Sequence, residues 1–379
     1  MRRITQVIAS AALAAGLSFS LAAAHAEVVK LGIAQTTTGG SAALYGIEQK
    51  NAIELVVAQA NASGKLGKIK LETVHYDDAA DRNQTVNVFQ RLISRDKVSV
   101  ILGPTLTASA YAADPIAQKA GVPVVASSNT AVDLPKKIGD YIFRVSPPED
   151  RVTPGVVQAV LTRHPNIKRV AQIYGIDDQL TKSAYGVQKA ALEGHKLDIV
   201  ATETFQRGDV DFAAQLTKIK AANPDLIVLG ALAEEAAGII RQARQLGIPQ
   251  STLFIGTQSS ISVKFFELGG DAADGLIVGT AWYSASPNPA SVEFVRDYKA
   301  RYNGREPDIY SAYGHDAAAL VVEAIRRAGS GDPKAIREQL TKIKDYPGVL
   351  GPIGFDADRE PTVEPKILVA RRGQFVPLD

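Results

Sequence analysis

The chain of 379 residues holds 42 basic and 40 acidic side chains and no cysteine. Setting aside Arg2 and Arg3, which belong to the N-terminal leader, leaves equal numbers of each sign, and so no electrostatic case for nucleic acid or an anionic membrane surface. Without cysteine there is no disulfide framework and no thiol for a lipoprotein anchor, and at this length two lobes, each with its own core, are expected ahead of one.

The chain opens on "MRRITQVIASAALAAGLSFSLAAAHA": two arginines, an apolar stretch broken by Ser10, Gly16, Ser18 and Ser20, then the small-x-small site Ala24-His25-Ala26. That order is a secretory signal peptide over 1–26, too short in its apolar part to span a bilayer, and the mature chain from Glu27 is expected to be soluble and exported. From Glu27 onward, apolar β-branched runs alternate with helical patterns. "VVKLGIA", "IKLETVHYDD", "VSVILG" and "VPVVAS" read as strands, separated by the helices "YGIEQKNAIELVVAQANASG", "RNQTVNVFQRLISRD" and "TASAYAADPIAQKAG". After a break around "RVSPPED" the alternation resumes, with "RVAQIYG", "KLDIVATETF", "DLIVLG" and "TLFIG" as strands. The helices of that series are "VVQAVLTRH", "TKSAYGVQKAALEG", "DFAAQLTKIKAANP" and "EEAAGIIRQARQLG". Beyond Gly275 follow a strand "LIVGTAWY", two helices ("PASVEFVRDYKARY" and "SAYGHDAAALVVEAIRRAG") and short strands to the end. Strands apolar along their whole length and divided by helices mean parallel sheets covered on both faces: an α/β chain with two doubly wound lobes. Such sheets bind ligands beyond the carboxyl ends of their strands.

Two of those strand ends carry hydroxyls: Thr105, Thr107 and Ser109 after the third strand, and Ser127, Ser128 and Thr130 after the fourth. As nucleophiles they lack a base. His75, His164, His195 and His315 are scattered, and there is no G-x-S-x-G elbow, no H-E-x-x-H and no EF-hand spacing. Asp77, Asp78 and Asp81 read as a strand end and the following helix start, not as a metal site. "TTTGGSAALYG" lacks both phosphate-loop spacings, yet can hold an anion through backbone N–H groups and hydroxyls. Capping is the reading for Ser109 and Ser127. Val56, Val57, Leu92 and Ile93 fall at helical spacing and read as core.

With these stretches in hand the chain resembles the type I periplasmic solute-binding proteins of ABC importers, in the leucine/isoleucine/valine-binding branch. The resemblance is carried by the order and spacing of "VKLGIAQTTTGGSAALYGIEQKNAIELVVAQANASG", "VILGPTLTASAYAADPIAQKAGVPVVASSNTAVDL", "VAQIYGIDDQLTKSAYG", "FIGTQSS" and "YSAYGHDAAALVVEAI". It implies two Rossmann-like lobes joined by three hinge crossovers: 27–145 plus 283–352, and 146–282 plus 353–379. It also implies a ligand cleft between the lobes, no catalysis and no cofactor, a monomer in the periplasm, and an inner-membrane ABC permease as partner. Position by position, Tyr45 matches a cleft tyrosine, Thr107 a hydroxyl on the ligand carboxylate, and Ser128 and Thr130 the pair completing that carboxylate site. Where the branch places an acid against the ligand ammonium, this chain has Gln258, expected to select the ligand's distal end. An amine-free aromatic or aliphatic acid is therefore preferred as ligand, with a branched-chain or aromatic amino acid as the alternative if Asp177, Asp178 or Glu235 replaces the missing acid. For Asp177 and Asp178 a solvated loop capping the next helix is the preferred reading. Tyr174, Trp282 and Tyr283 read as cleft wall or as packing. The other classes left open are a ligand-sensing regulatory receptor of the same fold and an exported hydrolase using Thr107 or Ser128.

Overall fold

The computed structural model describes residues 26–40 and 42–378. All but the last residue of the expected signal peptide lies outside them. The first sheet contains β1 (Glu27–Gln35), β2 (Ile69–Asp77), β3 (Val100–Leu102), β4 (Val124–Ala126) and β5 (Ile142–Arg144). Between them run α1 (Ala42–Ala62), α2 (Arg82–Ser94), α3 (Thr107–Ala120) and the short α4 (Leu134–Ile138). The strands pair in parallel in the order β2-β1-β3-β4-β5. Val29, Leu31, Ile33 and all of β3, β4 and β5 are buried, as strands covered by helices on both faces must be.

The second series is α5 (Glu149–Arg163), β6 (Arg169–Gly175), α6 (Gln179–Gly194), β7 (Asp198–Phe205), α7 (Ala213–Ala221), β8 (Leu226–Gly230), α8 (Ala233–Gln245) and β9 (Leu253–Ile255). A 3-10 turn at Gln258–Ser260, α9 (Val263–Gly269) and β10 (Leu276–Thr280) complete it. The chain then forms α10 (Pro289–Arg301), α11 (Ile309–Ala328), α12 (Pro333–Leu340) and a small hairpin of β11 (Tyr346–Gly348) and β12 (Gly351–Ile353). It ends in β13 (Lys366–Arg371) and β14 (Gln374–Pro377). The second sheet has the order β14-β13-β10-β9-β8-β6-β7, parallel except where β13 joins β10 and β14.

The chain passes between the two layers three times: from β5 to α5, from β10 to α10, whose neighbour α11 packs on α1, and from β12 to β13. The elements expected from the sequence are present, with the third and fourth strands cut to three residues each. Between the fourth expected strand and the break at "RVSPPED" lie α4 and β5, which were not expected, and two further unexpected helices are α9, before β10, and α12, before the final strands. The α1–α11 contact is close because Gly314 has no side chain: a Cβ there would stand 2.5 Å from the Gln49 carbonyl oxygen. That approach sets Tyr310 and Tyr313, at the start of α11, against the turn that follows β9.

Candidate functional site

At the end of β3 the chain turns into α3, whose N-cap, Leu106, offers no side-chain cap. A helix start leaves its first amides without intrahelical acceptors, and the dipole there favours an anion. Thr107 is the first residue of α3; it is buried, and its hydroxyl has no hydrogen-bond partner among the described residues. The loop after β4 brings up a second such group, the buried Thr130 hydroxyl, equally without a partner. That loop is held by its carbonyls. Arg144 donates to Asn129 O at 2.7 Å and Ala131 O at 2.6 Å, and the Glu149 amide donates to Thr130 O at 3.1 Å. Arg144, fully buried, is in turn paired with both oxygens of Glu360 at 2.5 Å.

The neighbouring hydroxyls are already committed. Ser128 accepts from Gln49 Nε2 at 2.5 Å and donates to Thr105 O at 2.8 Å. Thr105 accepts from the Thr36 amide at 3.0 Å. Ser109, expected as a cap, bonds instead to the Thr85 hydroxyl at 2.9 Å, and Ser127 caps no described helix and has no partner. Burying a hydroxyl without a hydrogen bond costs about 1–3 kcal/mol. Thr107 and Thr130, with Ser127 also unpartnered before Thr130, lie beside an uncapped helix start and form a place where an incoming carboxylate would accept the bonds the protein does not supply.

Across from these groups Tyr45 reaches the other layer. Its ring stacks on Tyr310, with centroids 4.1 Å apart and planes 17° from parallel. Its hydroxyl donates to Ser259 O at 3.3 Å and accepts from the Ala233 amide, at the start of α8, at 3.4 Å. Tyr310 donates to the same Ser259 carbonyl at 3.4 Å. Burial raises the pKa of both phenols, so both stay neutral donors. Gln258 is saturated: its Oε1 accepts from the Tyr313 hydroxyl at 2.9 Å and its Nε2 donates to Pro147 O at 2.9 Å. This places the Gln258 amide at the crossover between β5 and α5. Beside it stands Glu149, which the sequence did not single out. Glu149 is 1 % exposed, lies 3.5 Å from Gln258 Nε2, and accepts from the Thr153 hydroxyl at 3.2 Å. Its pKa is pushed up to about 7 by burial, against the lowering effect of nearby Thr153, Gln258 and Thr130. The Thr130 hydroxyl is thus near enough to act on the Glu149 carboxyl, though it makes no hydrogen bond of normal geometry to it.

A family model for periplasmic binding proteins matches residues 28–371. The chain belongs to that family. Among periplasmic binding proteins it is 26% identical, over 94% of this chain and 92% of the relative, to the leucine-, isoleucine-, valine-, threonine- and alanine-binding protein of Pseudomonas aeruginosa. Its fold matches the branched-chain amino acid transporter substrate-binding protein LivJ of Streptococcus pneumoniae, solved with isoleucine. The TM-score is 0.84 at 28% identity, over 92% of this chain and 98% of that one. It also matches an ABC-transporter solute-binding protein of Rhodopseudomonas palustris BisB5 solved with 3,4-dihydroxybenzoic acid, at a TM-score of 0.82 and 26% identity, over 93% and 96% of the two chains. The protein is thus a periplasmic binding protein of the branched-chain amino acid ABC-transporter type, with the type I fold. No helix among the described residues is long and apolar enough to cross a membrane.

The remaining candidate residues of this binding protein lie on or just after β6 and β10 and in α8. Tyr174 stacks on Tyr185 of α6, with centroids 4.0 Å apart. Asp177 is exposed and accepts from the Arg207 amide at 2.9 Å. Asp178 caps α6 through the Leu180 and Thr181 amides at 2.9 and 3.1 Å. Trp282 is buried and donates from its indole to Ser291 at 2.7 Å, while Tyr283 packs against the core. Glu235, in the first turn of α8, is buried; its Oε1 accepts from the Gly208 amide at 3.0 Å and its Oε2 has no partner. The signal that marks Glu149 in the sequence is only "SPPED", a helix start whose acid would ordinarily be read as a solvated partner of the dipole.

Proposed function

We propose that this protein captures a small monocarboxylate with an apolar body in the cleft between lobes 27–145 plus 283–352 and 146–282 plus 353–379. It then presents the closed complex to an ABC permease from the periplasm. The observation that carries the reading is the pair of buried, unpartnered hydroxyls of Thr107 and Thr130 beside the uncapped start of α3. The ligand carboxylate docks there on neutral donors, whose bonds to a charge compensate its lost hydration without burying a protein cation. Tyr45 and Tyr310 supply a flat wall for the apolar part. Closure is a shift of population: a ligand that touches both layers stabilises the arrangement in which Tyr45 meets Ser259 and Tyr313 meets Gln258. Isoleucine and 3,4-dihydroxybenzoic acid, held by two relatives of the same fold, share this chemistry of one carboxylate on an apolar frame.

The test is calorimetry on refolded, ligand-free mature protein against a panel of α-amino acids and their amine-free analogues, with the ligand recovered unchanged. Thr107→Val and Thr130→Val are each expected to weaken binding roughly 10- to 100-fold, the loss of one hydrogen bond to a charge at about 1.5–3 kcal/mol. Wild-type affinity in both variants would place the carboxylate elsewhere.

A further inference from the structure

We propose that the carboxyls of Glu48 and Asp308 form a proton-binding pair coupled to closure of the two layers, so that the closed form holds a proton that the open form releases. The proposal rests on closure as read above, and not on the identity of the ligand or on the Thr107 and Thr130 hydroxyls.

Both carboxyls stand behind the aromatic wall of the cleft. Glu48 lies one turn along α1 from Tyr45, and Asp308 caps α11 just before Tyr310. Glu48 is buried, and its Oε2 accepts from the Tyr298 hydroxyl of α10 and from the Ser311 hydroxyl at 2.7 Å. The same Ser311 hydroxyl lies 3.4 Å from Asp308 Oδ1, so one hydroxyl, with one proton to give, joins the two acids. A single cation serves them: Arg305, half-exposed, pairs with Glu48 Oε1. The other charged groups here are committed. Lys50 pairs with Glu54 at 2.8 Å and Lys299 with Glu306 at 2.6 Å, while Arg301 lies over the Tyr302 ring. Burial raises the pKa of both Tyr298 and Tyr302, so neither phenol supplies a charge. Two acids facing one arginine are balanced when one of them carries a proton. Burial, and next the charge of Glu48, raise the Asp308 pKa to about 7, against its amide donors and Arg305.

From the other layer the wall meets the Ser259 carbonyl, to which Tyr45 and Tyr310 donate, and the Ala233 amide, which donates to Tyr45. The charged groups behind these are Glu235 and Glu234, which act on Tyr45 against a further negative charge, and Arg207, which acts on Glu235. Closure therefore takes water from the wall without bringing a cation to the pair, and this favours the protonated acid.

A group whose pKa is raised by closure favours the closed form at low pH and loses that contribution as pH rises through its closed-form value, here about 7. The ratio of closed to open protein is thus expected to fall as pH rises toward 7, by up to about tenfold per unit, and to level above it. The experiment is single-molecule fluorescence transfer between the layers of ligand-free protein from pH 5 to 9. Dyes are placed on Asn83→Cys, at the start of α2, and on Val210→Cys, exposed in the loop after β7, in a chain that has no cysteine of its own. That labelled protein is compared with the same protein carrying Asp308→Asn or Glu48→Gln. The buried acids Glu149 and Glu235 are present in all three, so differences between the profiles belong to the pair. Each variant keeps an acceptor oxygen where the acid had one, and thermal melting at pH 5 confirms that both fold. Expected are a flatter profile in Asp308→Asn and a decline moved to lower pH in Glu48→Gln, which removes the charge that raises Asp308. Carbon-13 spectra are expected to show an Asp308 carboxyl, identified by its loss in Asp308→Asn, that titrates near 7. The proposal is overturned if Asp308→Asn keeps the unsubstituted profile, if the slope has the opposite sign, or if Asp308 titrates at the ordinary aspartate value of 3.8. A single interlayer distance at every pH would sink the closure reading and this pair with it, whereas two distances whose ratio ignores pH would sink the pair alone. Unchanged affinity in the Thr107 and Thr130 variants would sink the carboxylate reading and leave the pair standing.

Discussion

A side chain kept for a ligand is recognised by what it costs the ligand-free protein. Thr107 and Thr130 bury hydroxyls that bond to nothing described, while Thr105, Ser109 and Ser128, their neighbours, are satisfied within the lobe. Replacing either unpartnered threonine by valine keeps the shape and removes the unsatisfied oxygen. The ligand-free protein is therefore expected to melt higher, by the equivalent of about 1 kcal/mol, while losing affinity. A variant that weakened both would mark the hydroxyl as structural. Glu149 obeys the same logic through protons. Its folded pKa of about 7 lies above the ordinary value of 4.5 for a glutamate, so the fold prefers the protonated acid. The stability this group contributes is fully present below about 4.5 and is lost as pH rises to about 7, on the order of 3 kcal/mol in all. Denaturant melts of ligand-free protein across that window are expected to show the decline, and Glu149→Gln to flatten its share of it.

Among the elements, α11 does most to shape the cleft. Its capping box at Asp308 accepts from the Tyr310 and Ser311 amides at 2.9 and 3.0 Å, which holds the first turn and hence Tyr310 and Tyr313. Burial, reinforced by nearby Glu48, raises the Asp308 pKa to about 7, so this carboxyl too withdraws stability as pH rises from about 4 toward 7. Asp308→Asn, which keeps a capping oxygen, is expected to reduce that decline with little loss at pH 5, read from the same melts. Where α11 meets α1, Gly314→Ala would force a methyl against the Gln49 backbone, which cannot move without shifting α1 and with it Tyr45. An overpacking cost of about 1–3 kcal/mol is expected in denaturant unfolding, together with weaker ligand binding.

For the molecule as a whole, the crossovers decide how the layers sit. Arg144, at the end of β5, and Glu360, on the crossover before β13, form a buried bidentate pair that also fixes the carbonyls of the Thr130 loop. Removing one partner leaves the other charge buried without compensation. Glu360→Gln is therefore expected to cost about 3–5 kcal/mol in chemical denaturation at pH 7 and to loosen ligand binding through the Thr130 loop. Unchanged stability would mean that water or another group takes over the guanidinium.

Parallel α/β architecture was written locally. Runs such as "VVKLGIA" and "DLIVLG" are apolar at every position and flanked by helical patterns, and no distant contact is needed to see it. Helix α4 and strand β5, at five and three residues, are too short to show a period and became visible only beside their neighbours. The same division holds at the site. The sequence determined that hydroxyls follow β3 and β4, and the order of its motifs pointed to a solute-binding family, but it could not say which hydroxyls would be left unpartnered. Gln49, Thr85 and Thr36, which satisfy their neighbours, come from other elements. Glu149 is the clearest case. Its neighbours along the chain make it an ordinary helix-start acid, and only the packing of Thr130, Gln258 and Tyr313 around it removes water from the carboxyl and leaves it without a cation. Local pattern is set by steric and hydrophobic periodicity within one element, whereas burial of a charge is a property of everything that packs around it, and that is decided in three dimensions.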